Sequence, residues 1–180
     1  MTPREIEEYR ALRATIRERG TARIWIFVVG MALWTAGVIA IAAVAALPVA
    51  TLLSLLLLAA VFESIYSIYI AVERIGRYLQ VYYEIESESP DRNWEHVAMA
   101  FGRTFPGKGT DPLFTYVFYL AAVCNFVPAI LAGAVQIEWT VTGAFHLLFM
   151  IRIAVAKNHA AHQRADDLER FKKLRAETLS

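Results

Sequence analysis

Two opposite charges stand inside otherwise uncharged apolar blocks of this chain: Glu63 within Val49–Val72 and Arg152 within Trp139–Ala156. Two further blocks, Ile24–Leu47 and Leu113–Val135, carry no charge at all. Counting inward from the start of each charged block at about 1.5 Å per residue sets Glu63 roughly 21 Å and Arg152 roughly 20 Å down. A lone charge at the centre of a membrane helix costs about 2.5–3.5 kcal/mol on insertion scales, and pairing removes much of that. The matched depth therefore points to an intramembrane pair, Glu63 with Arg152. Two other readings stay open. Arg152 can extend to the cytoplasmic headgroups, and Glu63 can face a cavity and carry protons or bind a cation. Ser67, Asn125 and His146 are the polar groups that would line such a pore or cavity. Asn125 sits about 15 Å and His146 about 10 Å from the outer ends of their blocks by the same count.

A second set of chemistry-bearing residues follows the last apolar block. His159, His162 and Asp166 fall at i, i+3 and i+7, so one helix face presents two imidazoles and a carboxylate, a ligand set that suits borderline metals. A solvated helix face is the commoner origin of such a pattern, and no metal or other cofactor is expected. An enzyme would have to be built from His96, His159, His162 and nearby acids. The histidines are spread over separate segments and no nucleophile–base pair is visible, so no catalytic activity is expected. Gly107-Lys108-Gly109 lacks the spacing and the preceding strand of a phosphate loop. Cys124 is the only cysteine, which rules out an intrachain disulfide and leaves the role of a small buried hydrophobe.

The elements that must position these residues follow from composition. The chain is 57% apolar, with a mean hydropathy of +0.42, and its apolar residues come in blocks separated by charged segments. That is the composition of a polytopic membrane protein. A span needs about 20 mainly apolar residues to cross about 30 Å of hydrocarbon, and lipid demands helices because every backbone group must be satisfied internally. The expected fold is all-α, with four transmembrane helices at about 24–47, 49–72, 113–135 and 139–156 and cytoplasmic helical extensions. Pro48 separates the first two spans and Val135-Gln136-Ile137-Glu138 the last two, and neither turn contains Lys or Arg. Six basic residues lie from Arg4 to Arg23, five from Arg74 to Lys108 and seven from Arg152 to Arg175, which is all 18. The positive-inside rule then sets both termini and the middle loop in the cytoplasm. The expected location is a bacterial cytoplasmic membrane.

The charged segments also read as helices. Residues 1–23 form an expected amphipathic N-terminal helix: Thr2, Pro3 and Glu5 make a start signal, Ile6, Tyr9, Leu12 and Ile16 an apolar stripe, and Gly20 an end. That helix suits either the anionic headgroups of the inner leaflet or the protein's own cytoplasmic helices. The pattern of the second span continues through Val72-Glu73-Arg74-Ile75-Gly76-Arg77-Tyr78-Leu79-Gln80 to Glu86, within a cytoplasmic helical loop 73–112, with Tyr78, Tyr82 and Tyr83 near the headgroups. Ser89-Pro90-Asp91 starts a short helix whose apolar face is Trp94, Val97, Ala98 and Phe101. Asp111-Pro112 caps the third span, Ala129 and Gly133 make a small-residue face on it, and Gly30 and Gly37 make another on the first. Residues 157–180 form a C-terminal helix with Leu168, Phe171 and Leu174 as a sparse apolar stripe. The functional expectation is an oligomeric scaffold or accessory subunit in the lipid bilayer, working with its own copies or a partner protein and with no nucleic acid. The alternative is an oligomeric channel or small transporter using Glu63.

Overall fold

Thr2 and Glu5 cap each other: the Thr2 backbone N–H donates to Glu5 Oε2 (2.6 Å) and the Glu5 N–H to Thr2 Oγ1 (3.3 Å). This reciprocal cap satisfies two of the donors left over at a helix start. From it, in a computed structural model that describes residues 2–44, 48–84, 94–105, 111–133 and 135–179, helix α1 runs as Pro3–Val44. A 3₁₀ turn, Pro48–Ala50, leads into α2, Thr51–Leu79, whose end widens into a π-helical segment, Gln80–Glu84. Helices α3, Trp94–Thr104, α4, Thr115–Leu131, and α5, Gln136–Leu179, complete the chain. No strand occurs among the described residues. Three helices, α1, α2 and α5, are long and apolar enough to cross a membrane, and α4 is a shorter apolar helix. These features are compatible with an integral membrane protein.

Several boundaries differ from the expectation. Gly20 does not end the first helix; α1 continues through it, so residues 1–23 are not a separate element. One glycine inside a helix costs about 1 kcal/mol relative to alanine, too little to stop a helix that no proline or left-handed residue interrupts. α5 runs as one helix through residue 157 into the charged segment. The N-cap position of α4 is not Asp111. Its N-cap is Phe114, in the left-handed region at φ 51° with no side-chain cap bond. That conformation costs a non-glycine residue about 1–2 kcal/mol. The Phe114 ring is stacked on Phe27 at 4.2 Å, which offsets it. The expected helix start at Ser89-Pro90-Asp91 and the Gly107-Lys108-Gly109 segment lie outside the described residues.

The chain divides into two units, and α1, α2 and α5 contribute residues to both. The apolar unit comprises Ala22–Ser67 and Pro112–Asn158. Its centre is Phe62, which is fully buried and meets Phe118 (5.1 Å) and Phe149 (6.0 Å) edge to face. Leu58, Ile65 and Ile153 complete this core. The distribution around it is the reverse of a soluble domain. Trp25, Leu33, Ile39, Leu53, Leu56, Leu120 and Leu148 are exposed, whereas Thr51, Ser54, Thr115, Asn125, Thr142 and His146 are buried. Helices with apolar residues outward and polar residues within are compatible with an apolar surrounding.

Of α1, the only residues that bury themselves are Gly30 and Trp34. Gly30 lies so close to α2 that a Cβ there would stand 2.4 Å and 2.8 Å from the two methyls of Val61. Small residues let backbones approach in this way. Gly30→Ala is therefore expected to destabilise the apolar unit by about 1–3 kcal/mol through overpacking, with Val61→Ala in the same chain recovering part of the loss. Thermal unfolding in detergent measures both, and a Gly30→Ala chain as stable as the original would contradict the close approach. Gly37, the expected second member of that face, has open space around its Cβ position. Gly133 is not a packing residue either. It adopts φ +67° just past the end of α4 with nothing near its Cβ position, the glycine that ends a helix by turning left-handed. Ala129 is buried.

The charged unit comprises Met1–Thr21, Ile68–Asp111 and His159–Ser180. Its apolar cluster is small: Val81, Met99 and Leu168, with Tyr82 and Phe171 packed against it. Tyr78 stacks on Tyr82 at 4.7 Å and meets Phe171 edge to face at 5.7 Å, so these tyrosines pack within the unit. Leu174 stays exposed.

Candidate functional site

Helix α3 turns its charged side inward. Glu95 and Met99 are buried, while Trp94, Val97 and Phe101 are 68%, 44% and 56% exposed and Phe105, just past the helix, is 42% exposed. The apolar face of α3 therefore faces away from the core of its own unit. Ala98 is half-buried. The physical reason is the pairing available to Glu95. Arg77 Nη2 donates to Glu95 Oε2 (2.9 Å), and Arg13 Nη1 donates to Glu95 Oε1 (2.8 Å). Gly76 makes the approach possible, because a Cβ there would stand 2.9 Å from Glu95 Oε2.

The π-helical turn after α2 brings a second carboxylate to the same place. Arg13 Nη2 donates to Glu84 Oε1 (3.0 Å), and His96 Nδ1 lies 3.4 Å from Glu84 Oε2. Arg77 Nη1 also donates to Gln80 Oε1 (2.6 Å). An α-helix widened by one residue per turn shifts the side chains that follow, and such bulges recur at functional sites. Here the shift buries Gln80, Val81 and Glu84 together. Arg175 donates to the Val81 carbonyl from α5. A further layer joins α2 to α5: Arg164 holds Glu73 through two bonds of 2.7 Å, and Arg74 Nε donates to Asp167 Oδ2 (3.3 Å).

Burial dominates the electrostatics of Glu95 and Arg77. It pushes the Glu95 carboxyl up against the pull of Arg77 and Arg13, and it pushes the Arg77 guanidinium down against the pull of Glu73 and Glu95. Arg77 Nε is itself buried without a hydrogen-bond partner. The hydrogen bond to Glu73 raises Arg164. Every carboxylate oxygen of Glu84 and Glu95 is engaged by a cation or an imidazole. The arrangement holds α1, the end of α2 and α3 in one geometry. The sequence reading missed Arg13, Arg77, Glu84 and Glu95. The signal available was Gly76 beside Arg77 inside a helical pattern, the kind of gap that admits another group.

In the apolar unit, Glu63 and Arg152 are in contact: Arg152 Nε stands 2.8 Å from Glu63 Oε1 and Nη2 2.8 Å from Oε2. The guanidinium also lies 5.0 Å from the Tyr66 ring centroid. The pair is not buried, with 44% of the Glu63 and 40% of the Arg152 side chain exposed. It closes one end of an open groove of about 510 Å³ between α2 and α5.

Asn125 and His146 are also brought together, at 3.0 Å. Asn125 binds other helices rather than the backbone around Pro128. Its Nδ2 donates to the Thr51 carbonyl (2.9 Å) and to His146 Nε2, and its Oδ1 accepts from Trp34 Nε1 (3.0 Å) and Ser54 Oγ (2.6 Å). All four of its hydrogen-bonding positions are filled. Since His146 Nε2 accepts, its Nδ1 carries the proton and donates to the Thr142 carbonyl (2.8 Å). Ser67 stands apart from this cluster: it is exposed and its hydroxyl donates to the Ser64 carbonyl of its own helix (3.0 Å). His159, His162 and Asp166 all lie on exposed positions of α5. Among the described residues, no group of three or more His, Cys, Asp or Glu side chains is placed to hold a metal ion. Cys124 is exposed, not the buried hydrophobe expected. No protein-family model, no curated protein and no solved structure matches the chain.

Proposed function

We propose that the protein is a four-span integral membrane scaffold that acts, as an oligomer or with a partner protein, at the cytoplasmic face. The observation that carries this reading is the outward apolar face of α3, Trp94, Val97, Phe101 and Phe105, on a unit whose charges brace its own helices. A contiguous exposed apolar face on such a framework marks an interaction site. The four-span arrangement draws on α1, α2 and α5, together with α4, whose 17 residues cover about 25 Å. A slightly short span is accommodated by local bilayer thinning. The distribution of Lys and Arg orients both termini and the loop between α2 and α4 to the cytoplasm. The buried, fully bonded state of Asn125 and His146 favours packing over conduction.

Two measurements on the full chain test this. Reconstituted into proteoliposomes, the protein is expected to pass no ions above the lipid background. A photo-crosslinking residue at position 101 is expected to give a discrete protein adduct in cells that Trp94→Ser weakens. Ion flux abolished by Glu63→Gln would replace the scaffold by the channel reading.

A further inference from the structure

The Glu63–Arg152 pair is placed where a monomer gains least from it. It lies on the outer surface of the apolar unit, with Leu53, Leu56, Phe145 and Leu148 exposed beside it. Exposure of about two-fifths of each side chain to hydrocarbon leaves unsatisfied polar atoms in a medium with no hydrogen bonds to offer. The contact uses Nε and Nη2 of Arg152. The Nη1 protons and the outer lone pairs of the carboxylate point to a further partner. Along α2, Leu52, Leu56, Ala59 and Glu63 recur at i, i+4, i+7 and i+11, one stripe that lines the groove, and α5 adds Phe145, Leu148 and Arg152. Ala59 is the small residue at the middle of the stripe, the device by which membrane helices approach closely.

We infer that this α2–α5 face is the interface with a second copy of the chain, and this rests on the oligomeric membrane reading above. The argument is charge complementarity. An acid and a base side by side at one depth are neutral as a pair, so they attract neither an anionic nor a cationic partner strongly. They are, however, complementary to their own image. A two-fold axis along the membrane normal keeps each charge at its depth and reverses the pair in the plane, so that Arg152 meets Glu63 of the partner subunit. The result is a closed ring of two carboxylates and two guanidiniums, isologous as a two-fold interface must be. The Leu and Phe side chains of the stripe then pack across the axis and cover the groove.

The test uses the full chain in lipid nanodiscs, with Cys124→Ala to remove the native thiol. Leu56→Cys and Ala59→Cys are expected to crosslink as dimers with a short bismaleimide, and Leu120→Cys on exposed α4 is not. Glu63→Gln is expected to weaken the dimer about tenfold, and Glu63→Arg combined with Arg152→Glu to restore it. A dimer that crosslinks at residue 120 but not at 56 or 59 overturns this interface while leaving an oligomeric protein. A monomeric mass in nanodiscs overturns both. An unchanged crosslinking yield in Glu63→Gln overturns the exchange of charges between copies.

Discussion

Replacing Arg77 with methionine is expected to destabilise the charged unit by about 3–5 kcal/mol, the range for breaking a buried ion pair from one side. The side chain is 4% exposed and bonds Glu95 and Gln80. Without it, Glu95 keeps Arg13 alone in a site where burial already pushes its carboxyl up. The double substitution Arg77→Met, Glu95→Leu removes both buried charges, and Arg13 retains Glu84. It is expected to recover most of the loss, because apolar replacements of a buried pair are often neutral or stabilising. Denaturant unfolding followed by far-ultraviolet circular dichroism measures both variants. A loss below about 1 kcal/mol in Arg77→Met, the range of surface pairs, would show that the cluster is solvated.

The second large effect belongs to Asn125→Leu. Membrane hydrogen bonds average about 0.6 kcal/mol and reach about 1.7 kcal/mol, and Asn125 makes four of them. The substitution leaves the Trp34 indole N–H and His146 Nε2 without their partner at a buried position. The expected loss is about 3 kcal/mol. Trp34→Phe removes one bond and is expected to cost about 0.6 kcal/mol. Because Trp34 is one of only two buried residues on α1, both variants should also loosen α1, which protease sensitivity within that helix reports. Unfolding of the reconstituted protein in bicelles sets the two losses side by side, and equal effects would contradict the central place of Asn125.

How much of this was legible in the sequence depended on the background against which each residue stands. Glu63 and Arg152 are conspicuous because their blocks are otherwise uncharged, and the uniform rise of a helix turns residue counting into depth. Asn125 and His146, which residue counting sets about 15 Å and about 10 Å from the outer ends of their blocks, are not paired by that count. Their other partners were hidden: an indole at position 34 and a hydroxyl at position 54 look like ordinary span residues. Ser67 misled for the same reason, since a serine hydroxyl is satisfied by its own helix as readily as by a neighbour. The orientation of α3 was not legible in the sequence. Periodicity identifies two faces of a helix but not which one the rest of the chain can satisfy, and Arg13 and Arg77 come from α1 and α2. Gly20 misled because a helix signal was read from one residue, without the left-handed turn that makes glycine a terminator.

The central claim is that the apolar unit spans a bilayer with both termini in the cytoplasm, and cysteine accessibility tests it most directly. In a Cys124→Ala chain, Gln136→Cys sits at the start of α5 and Ala165→Cys in its charged half, both at exposed positions. On intact cells, a membrane-impermeant maleimide is expected to label residue 136 and to reach residue 165 only after permeabilisation. Labelling of residue 165 on intact cells, or recovery of the protein in the soluble fraction, would contradict the account.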